Sequence, residues 1–304
     1  MSYRSNLERI LMNRWFAVTA EICPPKGSDP SRIKQKGDIL RGCADAFNVT
    51  DNQTAVVRMS SIAGSVILSN MGLEPIMQIT CRDRNRIALQ SEVLGAYAVG
   101  IRNMLFITGD HQSFGNHPSA KGVYDLDSIQ LIHVVKNMRD NGLFQNGEEI
   151  LFGKPDIFIG AAANPFVDPY EMGVDRLEKK ITAGTDFIQT QSVFNLERFN
   201  EWMDEVRARG LDKKISILAG VTPLKSLKMT MRMKYHVPGV DVPDEIVNRM
   251  KNTRDQKKEG YEIAVEILRE IRRIRGVHGV HITALFWEDI IPFLVKNTGL
   301  FPRP

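Results

Sequence analysis

The sequence predicts an α/β protein of the (βα)8-barrel, or TIM-barrel, class, organised as a single domain over residues 1–304. Three observations predict it. Apolar runs of strand length recur eight times, segments with helical spacing lie between them, and no GxGxxG stands between a strand and a helix. The missing glycine signature removes the usual reason to prefer a dinucleotide-binding open sheet. Near-continuous apolar strands separated by helices imply parallel strands covered by helices, and eight such units close naturally into a barrel.

In chain order the strand candidates are FAVTAE from Phe16, AFNVT from Ala46, IMQIT from Ile76, MLFIT from Met104, DIFIGA from Asp156, DFIQT from Asp186, ISILAG from Ile215 and VHITAL from Val280. Each is rich in β-branched or aromatic residues. The segments RIALQSEVLGAYAVG, LDSIQLIHVVKNMRD, VDRLEKKITAG and EGYEIAVEILREIRRIR repeat apolar positions every three or four residues, as helices with one buried face do. Helix starts are expected at the caps Asp83, Asp127 and Asn195. Two connections are longer than the rest, His111 to Tyr124 and Pro238 to Glu259. The first is a candidate ligand loop. The second ends in KNTRDQKKEG, which reads as a solvated helix face or a surface excursion.

Composition narrows the function. With 43% hydrophobic residues the chain can bury a sizeable core, and 40 basic against 36 acidic residues is too balanced for a nucleic-acid footprint. Cys23, Cys43 and Cys81 are widely spaced, without a CxxC pair or neighbouring histidines, so neither a disulfide framework nor a metal site is expected. The opening residues carry charges throughout and the apolar runs are strand-sized, so the expected location is the cytoplasm, without membrane insertion.

In a (βα)8 barrel, residues at the C-terminal ends of the strands converge on one mouth. Here those ends supply Glu21, Thr50 with Asp51, Thr80, Thr108-Gly109-Asp110, Ala162-Ala163-Asn164, Thr190-Gln191 and Gly220-Val221-Thr222-Pro223. Glu21 ends a buried strand and is followed within a few residues by Pro24-Pro25, a rigid turn that would aim a carboxyl group at the mouth; capping a helix or pairing with an arginine is the structural alternative. Gly109 permits close approach to a ligand beside Asp110, and Gln191 can donate to and accept from the amide edge of a heterocycle. An ordinary turn aspartate and a glutamine satisfying barrel backbone are the alternatives for these two. Lys179 and Lys180, on the helix after the fifth strand, could reach phosphate groups or line a solvated face. His281 lacks a second histidine at ligand spacing and is expected in the core or against a ligand.

Taken in order, the pieces Glu21-X-X-Pro24-Pro25, Val49-Thr50, Thr80-Cys81-X-Asp83, Gly100 to Asn103, Gly109-Asp110, Ala162 to Pro165, Lys179-Lys180-X-X-Ala183-Gly184, Thr190-Gln191 and Gly220-X-X-Pro223 resemble methylenetetrahydrofolate reductases over nearly the whole chain. The resemblance implies a flavin across the barrel mouth, FAD with FMN as the alternative, and reduction of 5,10-methylenetetrahydrofolate to 5-methyltetrahydrofolate. It implies Glu21 as general acid, Asp110 between flavin and pterin, Gln191 and Thr222 on the folate, and Thr50, Thr108, Gly109, Tyr124, Ala162, Lys179 and Lys180 on the flavin. Gln78 stands where the family often has histidine, Thr108 where it has arginine, Asn164 where it has an aromatic residue, and Asp168 where it has a nearby histidine, so Gln78 and Asn164 join the flavin-binding set. Leu285-Phe286-Trp287-Glu288 replaces the leucine-asparagine-arginine pattern of members that use NAD(P)H directly. That departure is similar to anaerobic forms of the family that work with a partner subunit, implying a reductase or a zinc or iron–sulfur partner, with NAD(P)H as direct donor and homo-oligomerisation left open. A non-catalytic flavin- and folate-binding subunit of an electron-transfer complex is the alternative function.

Overall fold

The computed structural model describes residues 3–304. Eight strands, β1 (Ala17–Ile22), β2 (Ala46–Val49), β3 (Pro75–Thr80), β4 (Asn103–Ile107), β5 (Phe158–Ala163), β6 (Phe187–Ser192), β7 (Ser216–Val221) and β8 (Gly279–Ile282), pair in chain order and close as a barrel. Every neighbouring pair is parallel, including β8 with β1. The helices are α1 (Asn6–Met12), α2 (Ser31–Leu40), α3 (Ser61–Asn70), α4 (Arg86–Ala98), α5 (Ser128–Asp140), α6 (Tyr170–Ala183), α7 (Leu196–Ala208), α8 (Leu227–His236), α9 (Asp244–Asn252), α10 (Gln256–Ile271) and α11 (Ile291–Asn297). None of those described is long and apolar enough to cross a membrane.

Strand alternation divides the apolar residues between two cores. Val18, Ala20, Ile22, Phe47, Val49, Ile159 and Ile188 point outward and pack beneath the helices. Ala17, Ala46, Ile76, Leu105, Phe158, Phe187 and Leu218 point inward and form a separate cluster with Leu7, Ile10 and Leu11 of α1, which plugs the N-terminal end of the barrel. Gly160 makes room in this layer: a Cβ there would stand 2.4 Å from the Phe187 ring, which stacks on Phe158 at 5.1 Å.

Two of the three expected caps form. Asp127 accepts from the Gln130 amide at 2.8 Å in a reciprocal capping box, and Asn195 accepts from the Arg198 amide at 3.1 Å. Asp83 does not cap α4; it is drawn onto Arg82 at 2.6 Å, and Asn85 accepts from the Ala88 amide instead. The Pro238 to Glu259 connection holds α9, whose Ile246 and Met250 are buried one turn apart. Its charged KNTRDQKKEG stretch is the α9–α10 junction, a helix boundary capped by Asp255 rather than an extended surface excursion.

Candidate active site at the barrel mouth

At the C-terminal end of the strands lies a cavity of about 1050 Å³. Glu21 lines it, with its side chain 16% exposed. Two neighbours hold this carboxyl group. Oε1 accepts from the Cys23 thiol at 3.4 Å, and Oε2 lies 3.9 Å from His281 Nε2. The Pro24-Pro25 turn that follows is itself fixed, since the Pro24 carbonyl accepts from Arg58 at 3.0 Å and the Pro25 carbonyl from the Met59 amide at 2.9 Å.

Below Glu21, inward-facing residues of four strands form a buried polar chain. Asn48 donates to Gln189 Oε1 at 2.6 Å, Gln189 Nε2 donates to Thr19 Oγ1 at 3.0 Å, and Thr19 Oγ1 stands 3.0 Å from His281 Nδ1. Thr19 Oγ1 also lies 3.4 Å from the Val280 carbonyl, and His281 Nε2 lies 3.3 Å from Thr283 Oγ1, so the imidazole is held by a hydroxyl on each nitrogen. Buried polar groups are costly unless paired, and here each has a partner. The barrel interior is therefore apolar at one end and polar at the other.

Of the residues given a catalytic or binding role from the sequence, Glu21, Gln78, Ala162, Asn164, Lys180, Gln191 and Thr222 line this one cavity, as do Ala163, Thr190, Gly220 and His281. Gln191 sits where the β6–β7 register shifts, and its Nε2 donates to the Pro238 carbonyl at 3.4 Å. Irregularities of this kind re-aim side chains beside active sites. Thr222 is buried, with its hydroxyl 2.6 Å from Ser192 Oγ. Asp110 is exposed just outside the wall; its carboxylate accepts from the Thr54 amide at 2.9 Å, and Thr54 does line the cavity. Thr50 donates to Gln53 Oε1 at 2.5 Å, Thr108 accepts from the Ser128 amide at 3.3 Å, and Tyr124 donates to the Asp110 carbonyl at 3.2 Å, so all three brace the rim from behind. Gly109 has φ +91°, and a Cβ there would lie 3.2 Å from Thr80 and Arg82.

The two adjacent lysines part company. Lys180 is buried, donates to the Ala162 carbonyl at 2.5 Å, and is pushed down to about 8, first by burial and then by Arg176. Lys179 is exposed and lines a separate depression between α5 and α6. Asp51, read at a strand end, is a structural anchor: its carboxylate accepts from the Thr80 amide at 2.9 Å and from Arg84 at 2.7 Å.

Sequence reasoning passed over Cys23, Asn48, Gln189, Arg58 and Arg176 as parts of the site. Period-two spacing back from the strand ends, Glu21 to Thr19 and Gln191 to Gln189, is the signal that could have found the inner chain. Glu288, in the segment after β8, pairs with Lys36 of the neighbouring α2 at 2.5 Å. Among the described residues, the other cavity cations, Lys26, Arg58, Arg176, Lys180, Lys228 and Arg232, have no salt-bridge partner. Such a mouth attracts anionic ligands.

Fold and site together define a (βα)8-barrel protein with a basic ligand cavity at the C-terminal mouth and one carboxyl group held at its floor. The sequence model of the methylenetetrahydrofolate reductase family matches residues 6–299, and the chain belongs to that family. It is similar to 5,10-methylenetetrahydrofolate reductase of Pectobacterium carotovorum subsp. carotovorum, 24% identical over 297 residues that cover 94% of this chain and 91% of that protein. It is also similar to methylenetetrahydrofolate reductase 1 of Schizosaccharomyces pombe, 22% identical over 244 residues, 78% of this chain. The match spans only 37% of that yeast protein's length. In fold it is similar to an uncharacterized protein from Clostridium thermocellum that binds two copies of 5-methyl-5,6,7,8-tetrahydrofolic acid, with a TM-score of 0.67, 15% identity, and 97% and 99% of the two chains covered.

Proposed function

We propose that this chain is a flavin-dependent reductase that converts 5,10-methylenetetrahydrofolate to 5-methyltetrahydrofolate, with one barrel over residues 1–304 binding both flavin and folate. The observation that carries the reading is Glu21, a carboxyl group at the cavity floor with one oxygen on a thiol donor and the other facing His281. Family membership and the folate ligand of the Clostridium thermocellum protein support it.

The cavity suits a flavin. Gln78 and Asn164 offer neutral donors and acceptors for a ring system with amide edges, Ala162 keeps the wall low, and the unpaired Arg176 and Lys180 suit a phosphate. Bound flavin, FAD in this proposal and FMN as the alternative, would supply the hydride. Glu21 acts as the general acid that protonates the folate nitrogen released as the five-membered ring opens. Gln191 and Thr222 orient the folate. Asp110, braced on Thr54, sets the charge at the flavin edge, while Thr50, Thr108, Gly109 and Tyr124 hold the rim loops. Electrons come from a partner subunit rather than from NAD(P)H, a reading favoured by Leu285-Phe286-Trp287-Glu288, which stands where members that use NAD(P)H directly carry leucine-asparagine-arginine.

The test is Glu21→Gln, which keeps shape and removes the proton. Flavin should bind with wild-type stoichiometry, while reoxidation of the reduced flavin by methylenetetrahydrofolate slows by about a hundredfold or more. A wild-type reoxidation rate would remove Glu21 from the mechanism.

A further inference from the structure

Cys23 follows Glu21 by two residues, just beyond the end of β1, and lines the same cavity. Its thiol donates to Glu21 Oε1 at 3.4 Å. Burial, and next the neighbouring Glu21, push this thiol well above its ordinary range, so it stays a protonated donor. The position is awkward for a sulfhydryl kept only as filler: it stands beside a carboxyl group, in the wall of the cavity, with its hydrogen directed at that group.

We propose that Cys23 is a positioning residue for Glu21: its thiol ties down Oε1, leaving Oε2, the oxygen facing His281 and the cavity, as the one that carries and delivers the proton. The proposal rests on the acid role argued above for Glu21. In the step itself, the proton leaves Oε2 for the folate nitrogen, whose bond to the bridging carbon breaks and leaves its electron pair on that nitrogen. Glu21 is left as a carboxylate. The thiol hydrogen bond strengthens as that charge appears, because hydrogen bonds to charged acceptors exceed those to neutral ones. Stabilisation that grows along the reaction raises the rate of the step without tightening the binding of the substrate. Main-chain geometry contributes too. The Pro24-Pro25 turn, pinned through Arg58 and Met59, holds Cys23 between itself and β1, so the donor is presented at a fixed distance.

Two readouts test this. In single-turnover reoxidation of chemically reduced holoprotein by saturating methylenetetrahydrofolate, Cys23→Ala should slow the step about tenfold with folate affinity and flavin content unchanged, and Cys23→Ser, which restores a donor, should recover most of the rate. In the ligand-free protein at alkaline pH, with Glu21 as the carboxylate, the infrared S–H stretching band of Cys23, assigned by its loss in Cys23→Ala, should move to higher frequency in Glu21→Gln, whose neutral amide is a weaker acceptor. A Cys23→Ala rate equal to wild type, or an S–H band indifferent to Glu21→Gln, overturns the proposal. Equal losses in the alanine and serine variants together with weakened folate binding also overturn it, because they describe packing. If folate fails to reoxidise the wild-type flavin while the S–H band still responds to Glu21→Gln, the functional reading fails and takes the mechanistic role of Cys23 with it, whereas the hydrogen bond stands.

Discussion

Lys180 shows how one side chain couples pH to ligand binding. Its ammonium is pushed down to about 8 from an ordinary 10.5, because burial disfavours the charge and Arg176 repels it. The charge therefore costs stability in the empty protein below about pH 8, and that cost fades as pH rises toward 10.5. Phosphate binding needs the charge. Flavin affinity should thus fall as pH rises through about 8, and Lys180→Met should bind flavin about tenfold more weakly with that pH dependence flattened. Fluorescence quenching of the flavin titrated against each protein measures both; an unchanged pH profile in Lys180→Met would separate Lys180 from the phosphate. Asp51 is the contrasting case, a buried carboxylate whose bonds to Thr80 and Arg84 brace β2 against β3. Asp51→Ala should destabilise by about 3–5 kcal/mol in denaturant titration, since it strands Arg84 and leaves the Thr80 amide unpaired.

Among the elements, the loops over β2, β3 and β4 act as one unit. Arg82, nearly buried, donates to the Asp110 carbonyl at 3.1 Å and the Asn52 carbonyl at 3.2 Å, and its own carbonyl accepts from the Val123 amide at 2.7 Å. Sequence position alone could not separate Asp83 from Asn85 as the cap of α4, because the competing partner, Arg82, is itself placed by loops from three strands. The same limit explains Lys179 and Lys180: adjacent in sequence, they stand about 100° apart around α6, so only one can turn toward the barrel. Strands were legible throughout, since β-branched and aromatic runs bounded by polar ends leave little ambiguity. β5 starts at Phe158 rather than Asp156, whose carboxylate is held by Arg4 at 2.5 Å outside the ladder. α1 was not legible as a functional part of the barrel, because its role as a plug depends on inward residues of distant strands. Leu7→Ala in this plug should cost about 2–5 kcal/mol in thermal or denaturant unfolding while leaving folate-driven flavin reoxidation intact in the folded protein.

For the molecule as a whole, the apolar end of the barrel carries stability and the polar end carries chemistry. The seven cavity-lining residues given a catalytic or binding role from the sequence come from the ends of five strands and one helix, and they converge because eight parallel strands end at one mouth. What the sequence concealed is the depth of the site: the chain from Asn48 through Gln189 and Thr19 to His281 depends on which residues face inward across the closed sheet. The most direct measurement is the absorbance spectrum of the purified chain after reconstitution with flavin, followed under anaerobic conditions, first with NADH and then, after chemical reduction, with methylenetetrahydrofolate. The account predicts a bound flavin that NADH alone leaves largely oxidised and that, once reduced, is reoxidised by the folate with formation of 5-methyltetrahydrofolate. A chain that takes up no flavin, or a reduced flavin indifferent to the folate, would contradict it.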